Sequence, residues 1–308
     1  MANIALDRTI KLKAAAKKRS RKLNSDPIGY ALILPFYLFL AVFVLFPIAY
    51  NLYLSFTNYN LSEIKWVGWS NYAALLHDQF FFISMKNTLV YTAVTLTVTV
   101  GLGLIFAVLL NYRLYGTKWI RLSFFSPHVT SMVAVSMIWM WIYEPSHGIA
   151  NSLLEALGIA GKQWLYDAKW ALSAVIFTSV WKALGYNIVI YVAGLQSIPR
   201  HLYEAAAVDG AGGLRQFFHI TIPQIKPITF FLIVTGLIHN FNVFEQIMIM
   251  TDGGPLHSTT TLVHQIYIRA FQQFQIGYAA SLSMVMLLAI GLITAANFRF
   301  GGRGSTNA

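Results

Sequence analysis

Six stretches of this chain, residues 30–56, 88–110, 122–143, 170–195, 228–250 and 278–298, are each long and apolar enough to cross the hydrocarbon core of a bilayer. Crossing takes about 20 helical residues at a rise of 1.5 Å each. The Asp, Glu, Lys, Arg and His residues inside these stretches are His128, Lys182, His239 and Glu245. Over the whole chain 11% of residues are charged and 57% hydrophobic, where soluble domains carry roughly a quarter charged residues. Lipid offers backbone N–H and C=O groups no partners, so spanning segments of this kind pair their backbones internally as helices. The expected fold class is all-α, a polytopic membrane protein with six transmembrane helices.

Lysine and arginine set the orientation, because loops rich in them stay on the cytoplasmic side. Residues 1–29, 111–121, 196–227 and the tail 299–308 together hold sixteen, and the other three loops hold five. Both termini and the 199–227 loop are therefore expected in the cytoplasm, with residues 1–29 as a basic arm. The net charge of +11 expresses this bias and gives no reason to expect nucleic acid as a partner. Membrane lipid is a second reading for the arm. A cleavable signal peptide is not expected, since the first apolar stretch is too long and lacks a small-residue cleavage site. With no cysteine in the chain, thiolate metal sites, redox pairs and disulfides are excluded.

Nothing along the chain looks like an ATP site or a catalytic centre. Gly101-Leu102-Gly103 lies inside a span with Phe106 where a dinucleotide loop has its third glycine, and reads as close helix packing. At Gly161-Lys162 the next residue is Gln163, so a phosphate loop is not formed. His128 and His239 carry neither a nucleophile motif nor metal-ligand spacing. We expect no enzyme activity, no metal and no cofactor held by this chain. Trp66, Trp69, Trp139, Trp141, Trp164 and Trp170 read as an aromatic belt at the outer interface, and Pro35, Pro47 and Pro127 as helix irregularities.

The polar segment Glu204 to Pro227, EAAAVDGAGGLRQFFHITIPQIKP, interrupts this apolar pattern. Pro199 can open a helix, good helix formers surround Glu204, and Gly210, Gly212 and Gly213 stop it before a second short helix from Leu214. Taken alone, such a helix, turn and helix is either a solvated connector or a docking surface.

The motif E-A-A, then D-G-A, then the aromatic-Ile-x-x-Pro ending resembles the cytoplasmic signature of the membrane subunits of binding-protein-dependent ABC importers. Ser179-Val180-Trp181-Lys182, Gly194-Leu195-Gln196-Ser197-Ile198-Pro199, Thr251-Asp252-Gly253-Gly254-Pro255 and Gly277-Tyr278-Ala279-Ala280 extend the resemblance across roughly residues 30–300. They point to the carbohydrate branch, close to the larger membrane subunit of the maltose transporter and the first permease subunit of glycerol-phosphate transporters. The resemblance implies a type I importer permease in a bacterial inner membrane. Its implied partners are a second homologous permease subunit, two cytoplasmic ATPase subunits that hold ATP and Mg, and an extracytoplasmic sugar-binding protein. It further implies a coupling helix in which Glu204 makes a charged contact, Ala205 and Ala206 pack closely, and Asp209, Gly210 and Ala211 form the turn. Gly253, Gly254 and Pro255 would then touch the binding protein, although such a turn also reverses a chain without any ligand.

Charged and amide side chains inside spans usually face a protein interior or a wet cavity. His128, Ser179, Lys182, Tyr186, Asn240, Asn242 and Glu245 are accordingly the candidates for a sugar or polyol pathway. Equally open at this stage, Lys182 packs against backbone carbonyls, the asparagines join helices, and Glu245 reaches the outer headgroups. By resemblance, Asn240 matches a sugar-contacting asparagine of the maltose subunit, whereas Ser179, Val243 and His128 depart from its pattern, which points away from maltose itself. A secondary carrier driven by ion gradients is the alternative, and it predicts a carboxylate relay or inverted repeats.

Overall fold

The computed structural model describes residues 27–111 and 116–301. Most of the basic arm, residues 1–26, and the end of the tail, residues 302–308, lie outside the described residues. The described residues up to Tyr53 form a unit of their own. There, α1 (Pro27–Leu40) passes through a π segment (Ala41–Leu45) into α2 (Phe46–Ser55), whose last two residues belong to the larger unit, and Gly29–Ser55 is long and apolar enough to cross a membrane. Pro35 sits inside α1, and Pro47 is the second residue of α2, directly after the π turn. A proline disturbs the turn before it, and here the Phe46 N–H reaches back five residues to the Ala41 carbonyl.

The larger unit contains α3 (Ser70–Leu75), α4 (Gln79–Asn111), α5 (Thr117–Val129), α6 (Met132–Ile142), α7 (Ile149–Ala156) and α8 (Ala171–Ser197). After them come α9 (Arg200–Val208), α10 (Gly213–Gln216), a π segment (Phe217–Thr221) and α11 (Ile222–Phe241). The chain ends with α12 (Glu245–Met250), α13 (Leu262–Tyr267), a π segment (Ile268–Gln272) and α14 (Ile276–Gly301). Among the described residues, five helices are long and apolar enough to cross a membrane, and the bent pair α5 and α6 makes a sixth crossing if it is taken as one span.

Two expected spans are not straight helices. Residues 122–143 divide at Thr130 and Ser131 into two arms bent by 101°, and residues 228–250 divide after Phe241. Pro127 prepares the first break, since it lacks an N–H and frees a carbonyl one turn earlier. The second has no proline or glycine in it. The second span begins at Gln79 rather than Thr88, because Asp78 accepts the Phe80 N–H at 2.9 Å and starts the helix outside the apolar run.

Close approach of helices is achieved through glycine. A Cβ on Gly185 of α8 would collide with the Phe124 carbonyl of α5, one on Gly103 of α4 would lie 2.8 Å from Asn187 Cβ, and one on Gly194 would strike Ile228. Three buried clusters result. One gathers Tyr91, Tyr143, Val175, Val180, Val243 and Ile247; a second gathers Ala107, Leu110, Ile188, Tyr191, Ile225 and Leu232; a third gathers Leu75, Phe81, Leu237, Phe241, Leu262 and Leu282. Along α8 the first cluster ends at Val180 and the second begins at Ile188. Between them Leu184 and Tyr186 still pack against the second cluster, while Lys182, Ala183, Tyr186 and Asn187 border a cavity.

Candidate functional site

The cavity has a volume of about 760 Å³ and is walled by α4, α5, the start of α6, α8, α11, the break after it and the start of α12. All seven pathway candidates, His128, Ser179, Lys182, Tyr186, Asn240, Asn242 and Glu245, line it. They come from three stretches far apart in sequence, and each is held in a distinct way. The His128 ring stacks on Tyr186 with centroids 4.9 Å apart and planes 24° from parallel. Lys182 Nζ donates to the His128 carbonyl at 2.9 Å. Asn240 is buried, while Asn242 turns its amide back to the Ile238 carbonyl at 2.7 Å.

Glu245 enters this wall because of the helix break. Counted along a straight helix it would lie well above Asn240, near the outer headgroups. The chain leaves helical geometry at Phe244 (φ −144°, ψ −56°) before α12 begins, so the depth of Glu245 does not follow from a constant rise per residue. The other polar residues of the lining, Tyr91, Thr99, Asn187, Thr235, His239 and Gln246, are not among the candidates. Gln246 Nε2 donates to Tyr91 Oη at 2.7 Å and to Ser179 Oγ at 3.3 Å, joining α12, α4 and α8. Ser179 gives its own proton to the Val175 carbonyl at 2.9 Å, which leaves its oxygen free to accept. A phenol within the uncharged 88–110 run is the available signal for Tyr91. Its partner is 155 residues away, a separation no local pattern encodes.

What the cavity offers chemically is hydrogen bonding over aromatic and apolar surface. Amides, hydroxyls, two imidazoles, one ammonium and one carboxylate are spread around it. That mixture suits a hydroxylated solute better than an apolar one.

At the other end of α8 and α11 hangs the polar loop. Asp209 and Gly210 close α9: Gly210 has φ +75°, and the Ala211 N–H reaches back to the Ala206 carbonyl at 2.8 Å. This is the pairing of a left-handed helix stop, which favours glycine. Glu204, Ala205, Asp209 and Gly210 are exposed, and Ala206 and Ala211 half-buried. Val208 and Leu214 are 88% and 78% exposed, so the tip presents apolar side chains beside its carboxylates. Tyr203 Oη meets Thr221 Oγ1 at 2.9 Å and ties α9 to the base of α11.

The Gly-Gly-Pro turn is built differently from the expected contact surface. Gly253 is buried, and a Cβ there would lie 2.6 Å from Thr260 Oγ1 and 2.7 Å from His264 Cε1. Thr259 Oγ1 donates to the Gly254 carbonyl and Thr260 Oγ1 to that of Gly253. Gly254 and Pro255 are half-buried, and the residue that projects is Leu256, at 88% exposure. Gly253 thus serves the packing of the turn, and Gly254, Pro255 and above all Leu256 keep surface that another molecule can meet.

Residues 99–300 match the family described as binding-protein-dependent transport system inner membrane component. The chain is 37% identical over 284 residues to the probable ABC transporter permease protein YurN of Bacillus subtilis, covering 89% of this chain and 97% of that one. It is 34% identical over 279 residues to the sn-glycerol-3-phosphate transport system permease protein UgpA of Yersinia enterocolitica, covering 89% and 93%. Among solved structures it resembles a chain of a bacterial alginate ABC transporter in complex with an alginate pentasaccharide-bound periplasmic protein. The TM-score is 0.81 at 25% identity, over 93% of this chain and 98% of that one. With the family match running over residues 99–300 and relatives this similar along nearly their whole length, the chain belongs to the family of binding-protein-dependent transport system inner membrane components.

Proposed function

We propose that this chain is one of two homologous permease subunits of an ABC importer, and that its cavity passes a carbohydrate or related polyol delivered by an extracytoplasmic binding protein. One observation carries the reading. The exposed loop around Glu204 joins α8 and α11, the same two helices that wall the cavity. Any force applied at the loop therefore reaches the pathway through two continuous helices. Two ATPase subunits would supply that force: ATP-driven closure draws one loop from each permease subunit together and rocks the attached helices as rigid bodies. In this reading Glu204 and Asp209 pair with basic residues of the ATPase, Ala205 and Ala206 let it approach, and Gly210 and Ala211 set the turn. Both termini lie in the cytoplasm, and ATP and Mg are bound by the ATPase alone. Leu256 beside Pro255 is the part of the Gly-Gly-Pro turn that meets the binding protein.

The substrate class follows from the polar lining and from relatives named for sn-glycerol-3-phosphate and, in the structural neighbour, alginate. His128 and Tyr186 offer a stacked aromatic pair beside Asn240, Ser179 and Glu245, an arrangement that can hold a sugar ring and its hydroxyls.

The test is ATP hydrolysis in liposomes by the complex purified with its partner subunits, with and without a panel of sugar-loaded binding proteins, comparing wild type with Glu204→Lys. We expect one loaded binding protein to stimulate hydrolysis, and the stimulation to vanish in Glu204→Lys while the complex still assembles or to vanish with assembly. Uptake driven by an ion gradient without any ATPase would refute the reading.

A further inference from the structure

The bend between α5 and α6 leaves a set of backbone carbonyls without helical partners, and in a membrane each of these must find a donor. Three are met from within the same helix end. Pro127 has no N–H to give to the Ser123 carbonyl, and Ser126 Oγ donates to it instead at 3.2 Å. Thr130 supplies both of the next donors, its Oγ1 to the Ser126 carbonyl at 3.1 Å and its N–H to the Pro127 carbonyl at 3.3 Å. The His128 carbonyl is met from another helix, by Lys182 Nζ at 2.9 Å.

We propose that Lys182 is a positioning residue that fastens the bend of the third span, holding the cavity wall in place through the His128 carbonyl, and that it is not an anion-binding ligand for the substrate. Three features support this. The C-terminal end of a helix carries partial negative charge and favours a cation. Gly185, one turn after Lys182, lets α8 approach α5 closely enough for the ammonium to reach. And both faces of the bend contribute to the cavity, His128 from α5 and Met132 from α6, so straightening the span would remove the wall that carries the His128 and Tyr186 stack. The inference requires only that the chain spans a membrane; it does not depend on what the cavity carries.

A distance across the bend tests it. The chain has no cysteine, so spin labels can be placed at Trp119 and Ile138, which are 72% and 57% exposed and lie on opposite arms. At 1.5 Å per residue and the observed 101° bend, the two backbone positions are about 18 Å apart, against about 28 Å in a straight helix. The measurement uses the full complex without nucleotide or substrate, so its outcome is separate from the ATPase test of transport. Wild type and Lys182→Arg, which keeps a cationic donor, are expected to show the short distance. Lys182→Met, of similar length without a donor, should lengthen or broaden it by several ångströms. A Lys182→Met distance equal to wild type overturns the proposal. Should Lys182→Met fail to assemble, assembly of Lys182→Arg with the short distance upholds the need for a donor, and failure of both variants refutes it.

Discussion

Replacing Gly185 with alanine adds one methyl group at the tightest helix crossing that borders the cavity. The new Cβ would stand 2.5 Å from the Phe124 carbonyl carbon and 3.0 Å from Phe125 Cα. Carbon atoms settle at about 3.5 Å or more, so α8 and α5 must part by roughly 1 Å, a gap that forfeits up to about half of each dispersion contact across it. No rotamer change relieves this, because the obstructing atoms are backbone. Overpacking of this kind costs about 1–3 kcal/mol, and the upper end is expected here. The same displacement stretches the Lys182 to His128 bond from 2.9 Å to about 3.9 Å, beyond hydrogen-bonding reach. A loss of about 3 kcal/mol is on the order of a hundredfold in the folded population. The assay is the fraction of monodisperse complex surviving a heat ramp in detergent. Gly101→Ala is the control, since nothing lies within 4 Å of a Cβ there and alanine gains up to about 1 kcal/mol of helix propensity. Gly194→Ala should fall between them, because the atom it meets is the flexible end of Ile228. Gly185→Ala and Lys182→Met should also be less than additive when combined, as both lose the same bond. Equal survival of Gly185→Ala and Gly101→Ala would refute the reasoning.

Asp78 Oδ2 accepts from Arg269 Nη2 at 2.8 Å and from Tyr278 Oη at 2.6 Å, which joins the start of α4 to α14 and the π segment before it; a double-mutant cycle of Asp78→Ala and Arg269→Ala should give a coupling of about 1–3 kcal/mol, and strict additivity would show the pair to be idle. In the loop after α6, the N–H groups of His147 and Ser146 hold the Glu144 carboxyl below its ordinary pKa. A depressed folded value means that the ordering of this turn is complete above the usual carboxylate range and is lost as pH falls through the lower folded value. Amide exchange at Ser146 and His147 should therefore gain extra acceleration at low pH, and Glu144→Gln should remove that pH dependence.

The spans were legible because lipid leaves a chain few choices. Runs without charge, such as 88–110 and 278–298, can cross lipid only as helices, and α4 and α14 contain them whole. The polar loop was equally legible, since Pro199 and Gly210 act locally: one lies just before the first turn of α9 and the other takes the left-handed position after it. What could not be read is what depends on partners distant in sequence. Lys182 had two open readings, lining a pathway or meeting a carbonyl, and the choice turns on how closely Gly185 lets α5 approach. Gly253 invited a contact role, yet its need for glycine comes from Thr260 and His264 packed beneath it. The break after Phe241 carries no proline or glycine, so Asn240, Asn242 and Glu245 seemed to lie on one straight helix.

The places where the apolar pattern misled are also the places where the cavity is. An interruption of a membrane helix costs backbone hydrogen bonds that lipid cannot replace, so irregular backbone survives at depth where protein or water supplies the partners. The bend at Thr130 and Ser131 and the break from Asn242 to Phe244 both meet this condition. His128 and Met132 flank the first and Asn240 and Gln246 the second, and all four line the same cavity. The bend is met by serine and threonine hydroxyls and by Lys182; the far side of the break is fastened by Gln246 to Tyr91 and Ser179. Helices running straight through both places would carry His128, Met132, Asn242 and Gln246 away from the walls they now form. The departures from regular helix create the space, and the polar side chains that a hydropathy reading counts as blemishes are the groups that make those departures affordable.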